Sequence, residues 1–154
     1  PSSVTSIGSC AFSGCSSLTQ ITIPSSVSEI GDSIFTRCYK IEKISIIVCD
    51  EKRIEYIEDK YLVFKTNANN EIFDSFVFAK KSVNKVTIPL FINNIKKGVF
   101  SGCSSLTQIT IPSSVTEIGW YVFSGCSALT QIIIPSSINR SNLYIPYKAK
   151  VIEI

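Results

Sequence analysis

The sequence predicts a β-rich solenoid, a coil whose turns stack through a parallel wall of strands. Three observations carry that prediction. Prolines return at a fixed interval: Pro1 and Pro24 stand 23 residues apart, and Pro89, Pro112 and Pro135 keep the same spacing. Eight apolar positions recur in one register inside each period. A strand-like word, Ile-x-Ile, stands just before Pro24, Pro112 and Pro135. Self-similarity at this length marks stacked repeats, each too small to bury its own apolar face.

The interval from Pro24 to Pro89 is 65 residues, which is 23 plus 42, so one turn beginning at Ile47 is enlarged by 19. The chain therefore divides into coils 1–23, 24–46, 47–88, 89–111, 112–134 and a degenerate 135–154, read as a single solenoid segment. In the first coil the inward positions are Val4, Ile7, Ala11, Phe12, Cys15, Leu18, Ile21 and Ile23. They map onto Val27, Ile30, Ile34, Phe35, Cys38, Ile41, Ile44 and Ile46, and the coils from Pro89 and Pro112 repeat the set. Phe12, Phe35, Phe100 and Phe123 are expected to line up in a file.

Leu18-Thr-Gln-Ile-Thr-Ile23 ends in period-two alternation, a strand with Ile21 and Ile23 inward and Gln20 and Thr22 outward. Pro24 offers no N–H to a ladder and turns the chain. Val27-Ser-Glu-Ile30 reads as a shorter extended segment on another side, ended by Gly31. The stretch from Asp32 to Cys38 has adjacent Ile34 and Phe35, which predicts one short helical or 3₁₀ turn.

The enlarged coil departs from the pattern. Tyr61-Leu-Val-Phe-Lys65 and Ile72-Phe-Asp-Ser-Phe-Val-Phe78 flank the turn-rich Thr66-Asn-Ala-Asn-Asn-Glu71, which predicts a β-hairpin over about 61–78. After Pro89, Leu90 and Phe91 replace the usual two serines and Lys96 replaces glycine. Leu90 and Phe91 are expected to pack under the hairpin. At the other end Val151-Ile-Glu-Ile154 arrives three residues early as a strand, the mark of a degenerate repeat or a cap.

Composition excludes several functions. The 45% hydrophobic content supplies a continuous core, and the net charge of +3 is modest. Of the 27 charged side chains, 14 fall between Ile47 and Ile88, seven of each sign, which leaves no basic stripe for nucleic acid. No apolar run reaches the length of a membrane span. The chain has no Met and opens inside a repeat word, so it is expected to be a fragment of a longer protein, whose address lies elsewhere.

Without histidine, Ser-His-Asp and Cys-His nucleophilic sites are out of reach, as are His-containing zinc sites. Cys15, Cys38, Cys103 and Cys126 share one repeat position and read as a buried ladder of thiols. At a coil spacing of ~4.8 Å, disulfides between rungs are within reach, although parallel side-chain directions make them awkward. The spacing does not suit a Cys₄ metal site. Cys10 and Cys49 lie off the ladder. Asp50, Glu51, Glu55, Glu58 and Asp59, interleaved with Lys52, Arg53 and Lys60, read as a solvated loop rather than a cation site. The glycines recur at the solenoid period, not at phosphate-loop spacing. No cofactor, metal or catalytic residue is expected.

Leu106-Thr-Gln-Ile-Thr-Ile-Pro-Ser-Ser-Val-Thr-Glu-Ile-Gly119, followed by Val122-Phe-Ser-Gly-Cys126, resembles the 23-residue BspA-like unit Leu-Thr-x-Ile-x-Ile-Pro-x-Ser-Val-Thr-x-Ile-Gly-x-x-Ala-Phe-x-x-Cys. The resemblance covers all but the 19 extra residues and the ragged end, and Tyr61-Leu-Val-Phe64 loosely resembles a hairpin that the family often inserts. It implies a leucine-rich-repeat solenoid, a right-handed coil with the cysteines facing inward at a bend. It also implies surface-exposed or secreted proteins of host-associated microbes, many of them regarded as adhesins.

Repeat proteins bind on an extended wall. The outward strand positions are therefore the candidate partner-binding residues: Gln20, Thr22, Lys43, Ser45, Lys85, Thr87, Gln108, Thr110, Gln131 and Ile133. The aromatics Tyr56, Tyr61, Phe64, Phe73, Phe76 and Phe78 offer a second candidate surface, although most are expected to cover the solenoid edge. Asn139-Arg-Ser141 is a glycosylation sequon. The expected partner is a protein, with a host surface or matrix protein in view. The alternative is a structural spacer, or a scaffold that self-associates through open solenoid ends, on the surface or inside the cell.

Overall fold

The computed structural model describes residues 1–47, 53–67 and 72–154. Cys49, Asp50, Glu51 and Lys52 lie outside the described residues, as does most of the hairpin turn from Ala68 to Glu71. In chain order the strands are β1 (Ser6–Ile7), β2 (Gln20–Pro24), β3 (Glu29–Ile30), β4 (Lys43–Ile47), β5 (Ile54–Ile57), β6 (Tyr61–Phe64), β7 (Ser75–Ala79), β8 (Lys85–Thr87), β9 (Asn94–Ile95), β10 (Gln108–Thr110), β11 (Glu117–Ile118), β12 (Gln131–Ile134) and β13 (Lys150–Glu153).

Repeat words become rungs because equivalent strands pair in parallel with no shift. Gln20 opposes Lys43, and Ile109 lies between Val86 and Ile132. On the long-strand side this builds a pair, β2 with β4, and a four-stranded sheet in the order β8, β10, β12, β13. On the short-strand side β1 pairs with β3, while β9 and β11 extend a sheet that begins with β5, β6 and β7. The solenoid is thus two blocks of regular coils with the enlarged coil between them.

That coil holds more than a hairpin. β6 and β7 pair antiparallel as expected, but a third strand, β5, adds to β6 through a turn in which Glu58 and Asp59 both take positive φ near 52°. β7 then lies parallel to β9, with Ser75 opposite Asn94 and Phe76 opposite Ile95. An irregularity at Leu62 and Val63 leaves Val77 as the extra residue of a bulge.

The three strands partition the core. Ile54, Leu62, Phe64, Val77 and Phe78 pack into the cluster of the first two coils, with Tyr56 against it. Tyr61, Val63, Phe76 and Ala79 pack into the cluster of the later coils, with Ile57 and Phe73 against it. The phenyl file runs through the partition by borrowing two rings from β7. Phe12 stacks on Phe35 at 5.4 Å and Phe35 meets Phe78 edge-on at 5.2 Å. On the far side Phe76 meets Phe100 at 5.6 Å, and Phe100 stacks on Phe123 at 6.1 Å. The bulge lets Phe76 and Phe78, two residues apart, serve opposite blocks.

No helical turn forms among the described residues, which corrects the expectation for Asp32–Cys38 and its equivalents. Every second N–H in this stretch is used by a neighbouring coil: Cys10, Phe12 and Gly14 donate to the carbonyls of Asp32, Ile34 and Thr36. Only the intervening groups close turns, as where Ser13 donates to Cys10 and Cys15 to Phe12. Consecutive helical bonds cannot coexist with that alternation.

Close stacking also explains the glycine after the short strand. A Cβ on Gly119 would lie 2.3 Å from the Lys97 nitrogen, and one on Gly31 would lie 2.3 Å from that of Ser9. Lys96 occupies the same position without conflict because the strand before it is β7, whose Phe76 carbonyl accepts its N–H at 2.9 Å.

Leu90 and Phe91 do not pack under the hairpin: they are 78% and 41% exposed. They stand at the corner after β8, where the turn points both side chains outward, as it does with Ser113. β13 is a true rung, with Ile132 opposite Val151, so the last coil is 19 residues long and four short of the period rather than three.

Candidate functional site

The ten outward positions fall on two panels instead of one wall. Gln20 and Thr22 oppose Lys43 and Ser45 on β2 and β4. The other six share the four-stranded sheet, in two columns that the register defines. Lys85, Gln108, Gln131 and Lys150 form one, and Thr87, Thr110, Ile133 and Ile152 form the other. β4 and β8 do not pair, since the partition strands stand between the blocks, so the panels are separate. None of the ten side chains is buried.

The chemistry of the larger panel follows from these columns. Gln offers two donors and an acceptor on each rung, and both ends of its column carry a lysine. The neighbouring column passes from threonine to isoleucine toward β13, so that column is polar at the β8 edge and apolar at the β13 edge. Thr107 Oγ1 donates to Asn84 O at 3.1 Å and Thr130 Oγ1 donates to Thr107 O at 3.1 Å, which ties the strand entries together beside the panel. Lys150 and Ile152 were not legible as wall residues, because the shortened last coil hides their register and Lys150-Val-Ile-Glu153 carries no alternation of polar and apolar residues.

The aromatic candidates of the enlarged coil are not a surface. Tyr61, Phe64, Phe76 and Phe78 are at most 5% exposed, and Tyr56 and Phe73 are half-buried. Most were expected over an edge; the four buried ones fill the partition between two cores and are closed to a partner, while Tyr56 and Phe73 keep part of their surface in solvent.

Of the ladder cysteines, Cys38, Cys103 and Cys126 are buried and Cys15 is exposed; all four are free thiols, as is Cys10. Cys38 Sγ donates to Phe12 O at 2.8 Å, and Cys126 Sγ donates to Phe100 O at 3.1 Å, each linking a coil to the one before. Burial pushes the thiols of Cys38 and Cys103 up and that of Cys126 up to about 12, with the neighbouring Cys103 adding to the last. Burial and the raised pKa both disfavour the reactive thiolate. Glu58 and Asp59 stand on the exposed β5–β6 turn beside Lys60 (3.8 Å) and Lys80 (3.3 Å). Among the described residues no group of His, Cys, Asp and Glu is placed to hold a metal, and no helix is long and apolar enough to cross a membrane.

A family model for the BspA-type leucine-rich repeat region, in six copies, matches residues 1–76 and 70–152. The chain belongs to the BspA-type leucine-rich repeat family. Its fold is shared with solved bacterial structures. A leucine-rich cell surface protein of Faecalibacterium prausnitzii matches 99% of this chain and 52% of its own length, at 24% identity and a TM-score of 0.68. The pneumococcal vaccine antigen PcpA matches 79% of this chain and 29% of its own, at 18% identity and a TM-score of 0.64. A leucine-rich repeat protein of Bacteroides ovatus matches 100% of this chain and 41% of its own, at 19% identity and a TM-score of 0.55. The chain spans about half of the first of these or less of the others. No curated protein matches the chain.

Proposed function

We propose that this chain is a non-enzymatic recognition module of a surface or secreted protein, adhesin-like in role, which holds another protein on its long-strand side. The observation that carries this reading is the larger panel, two continuous columns of solvent-facing side chains on a rigid parallel sheet. Such a panel presents donors and acceptors at a fixed rung spacing and costs little ordering on association. The family membership and the likeness in fold to a leucine-rich cell surface protein of Faecalibacterium prausnitzii support the location.

The test is solid-phase binding of the chain to a panel of purified host matrix and epithelial surface proteins, or to host cells. Wild type is compared with Gln108→Glu/Gln131→Glu, which places like charges on adjacent rungs without touching the core. Binding that falls about tenfold or more in the double variant supports the reading; binding to no protein and no cell overturns it. Light scattering over a range of concentrations separates it from a self-associating scaffold, for which the mass would rise reversibly with concentration.

A further inference from the structure

We propose that the pocket at the seam between the second coil and the fourth is a saccharide site, with Trp120 as the platform for a neutral sugar ring. The seam exists because the partition strands join the solenoid through the short-strand sheet, beside β9. In the turns that follow the short strands the second and fourth coils touch directly, and Ser33 Oγ donates to Lys97 O at 3.3 Å. Beside that contact lies a pocket of about 280 Å³ whose working side chains are Asp32, Asn94, Lys96, Lys97, Glu117 and Trp120.

Trp120 is out of place by the logic of the repeat. The same position holds Ser9, Asp32 and Lys97 in other coils, and the indole is 57% exposed, so it contributes little to the core. A large flat apolar face beside converging polar groups is the pattern of a ligand pocket rather than of a folding contact. The next residue, Tyr121, stands under Lys97, with Nζ 5.4 Å from the ring centroid. The polar groups are oriented from behind: Asn94 Nδ2 donates to Glu117 Oε2 at 2.5 Å, while Ser75 Oγ reaches Asn94 Oδ1 at 3.5 Å.

Charge selects the ligand class. The lining carries two acidic residues, Asp32 and Glu117, and two basic ones, Lys96 and Lys97, so its net charge favours neither an anion nor a cation. What remains suited is a neutral polyol. Its vicinal hydroxyls donate to carboxylate oxygens and accept from lysine, and its C–H face lies on the indole. The site lies on the side that carries β9 and β11, away from the panel proposed to hold protein, so the two proposals stand or fall separately.

Trp120 is the chain's single tryptophan, so its emission reports on this pocket alone. The chain is titrated with glucose, galactose, mannose, N-acetylglucosamine and their disaccharides to about 100 mM, since a lone stacking site binds in the millimolar range. The expected result is a saturable change in emission with at least one sugar, weakened about tenfold in Glu117→Gln and in Asp32→Asn. Saturation-transfer NMR on Trp120→Ala, a change on the surface, should show loss of the same sugar's signal. A flat emission profile across the whole panel overturns the proposal, as does a response that survives these substitutions.

Discussion

Phe100 and Phe123 are fully buried, whereas Phe12, at the same place in the repeat, leaves part of its ring in solvent. Leu106 and Leu129 are likewise buried while Leu18 is not, and Cys15 is exposed where Cys103 and Cys126 are sealed. The words are nearly identical, and in the second coil Phe35, Cys38 and Ile41 are buried at these positions; the first coil differs in having a packed neighbour on one side only. A position in a solenoid is made a core position by the coils on either side, so equal residues carry unequal energies along the stack. The partition strands act on both blocks at once by supplying Phe78 to one and Phe76 to the other.

The largest contrast is expected from deleting rings. Phe100→Ala should cost about 3–5 kcal/mol in chemical denaturation and Phe12→Ala only about 1–2; equal losses would erase the distinction between the first coil and the inner ones. Next come the glycines. Gly119→Ala drives a methyl into the Lys97 backbone and should cost about 2–3 kcal/mol, while Gly8→Ala, with nothing within 4 Å, should stay within about 0.5. A neutral Gly119→Ala would mean that the coils are less tightly stacked than their hydrogen bonds require.

The thiols sharpen the same comparison through pH. The folded state holds the Cys126 proton more tightly than the unfolded chain does, so the stability it contributes is complete below pH 9 and declines from there toward about 12. Denaturant midpoints measured between pH 8 and pH 11 should fall in wild type and fall less in Cys126→Ala. At neutral pH a maleimide should label Cys10 and Cys15 and spare Cys38, Cys103 and Cys126 until the chain is unfolded. The smallest effect belongs to Thr36, whose buried Oγ1 has no hydrogen-bond partner among the described residues. Thr36→Val should be neutral or stabilising by up to about 1 kcal/mol in a thermal melt.

Much of this was legible in the residues. The prolines set the period, and the alternation around Ile109 and Ile132 set which side chains face out, because a rung slip of one residue would turn every isoleucine to solvent. The enlarged coil was legible only in part. Tyr61–Lys65 and Ile72–Phe78 read as a hairpin, but Ile54-Glu-Tyr-Ile57 sits in a charged stretch whose strand character comes from its partner. A run in which every residue from Ser75 to Ala79 is buried carries no alternation, so neither its two-sided packing nor the bulge at Val77 could be read. Lys96 in place of glycine was the clue that its coil follows something other than a regular coil. The seam pocket was illegible because Asp32 and Trp120 stand on coils that the period places far apart.

That one inserted sheet serves two separate cores can be tested by native-state hydrogen exchange on Phe78→Ala. Amides of β2 and β4 should exchange about a hundredfold faster than in wild type, while those of β10 and β12 change by less than about threefold. Equal acceleration in both sets would show a single core running through the partition and would contradict the account.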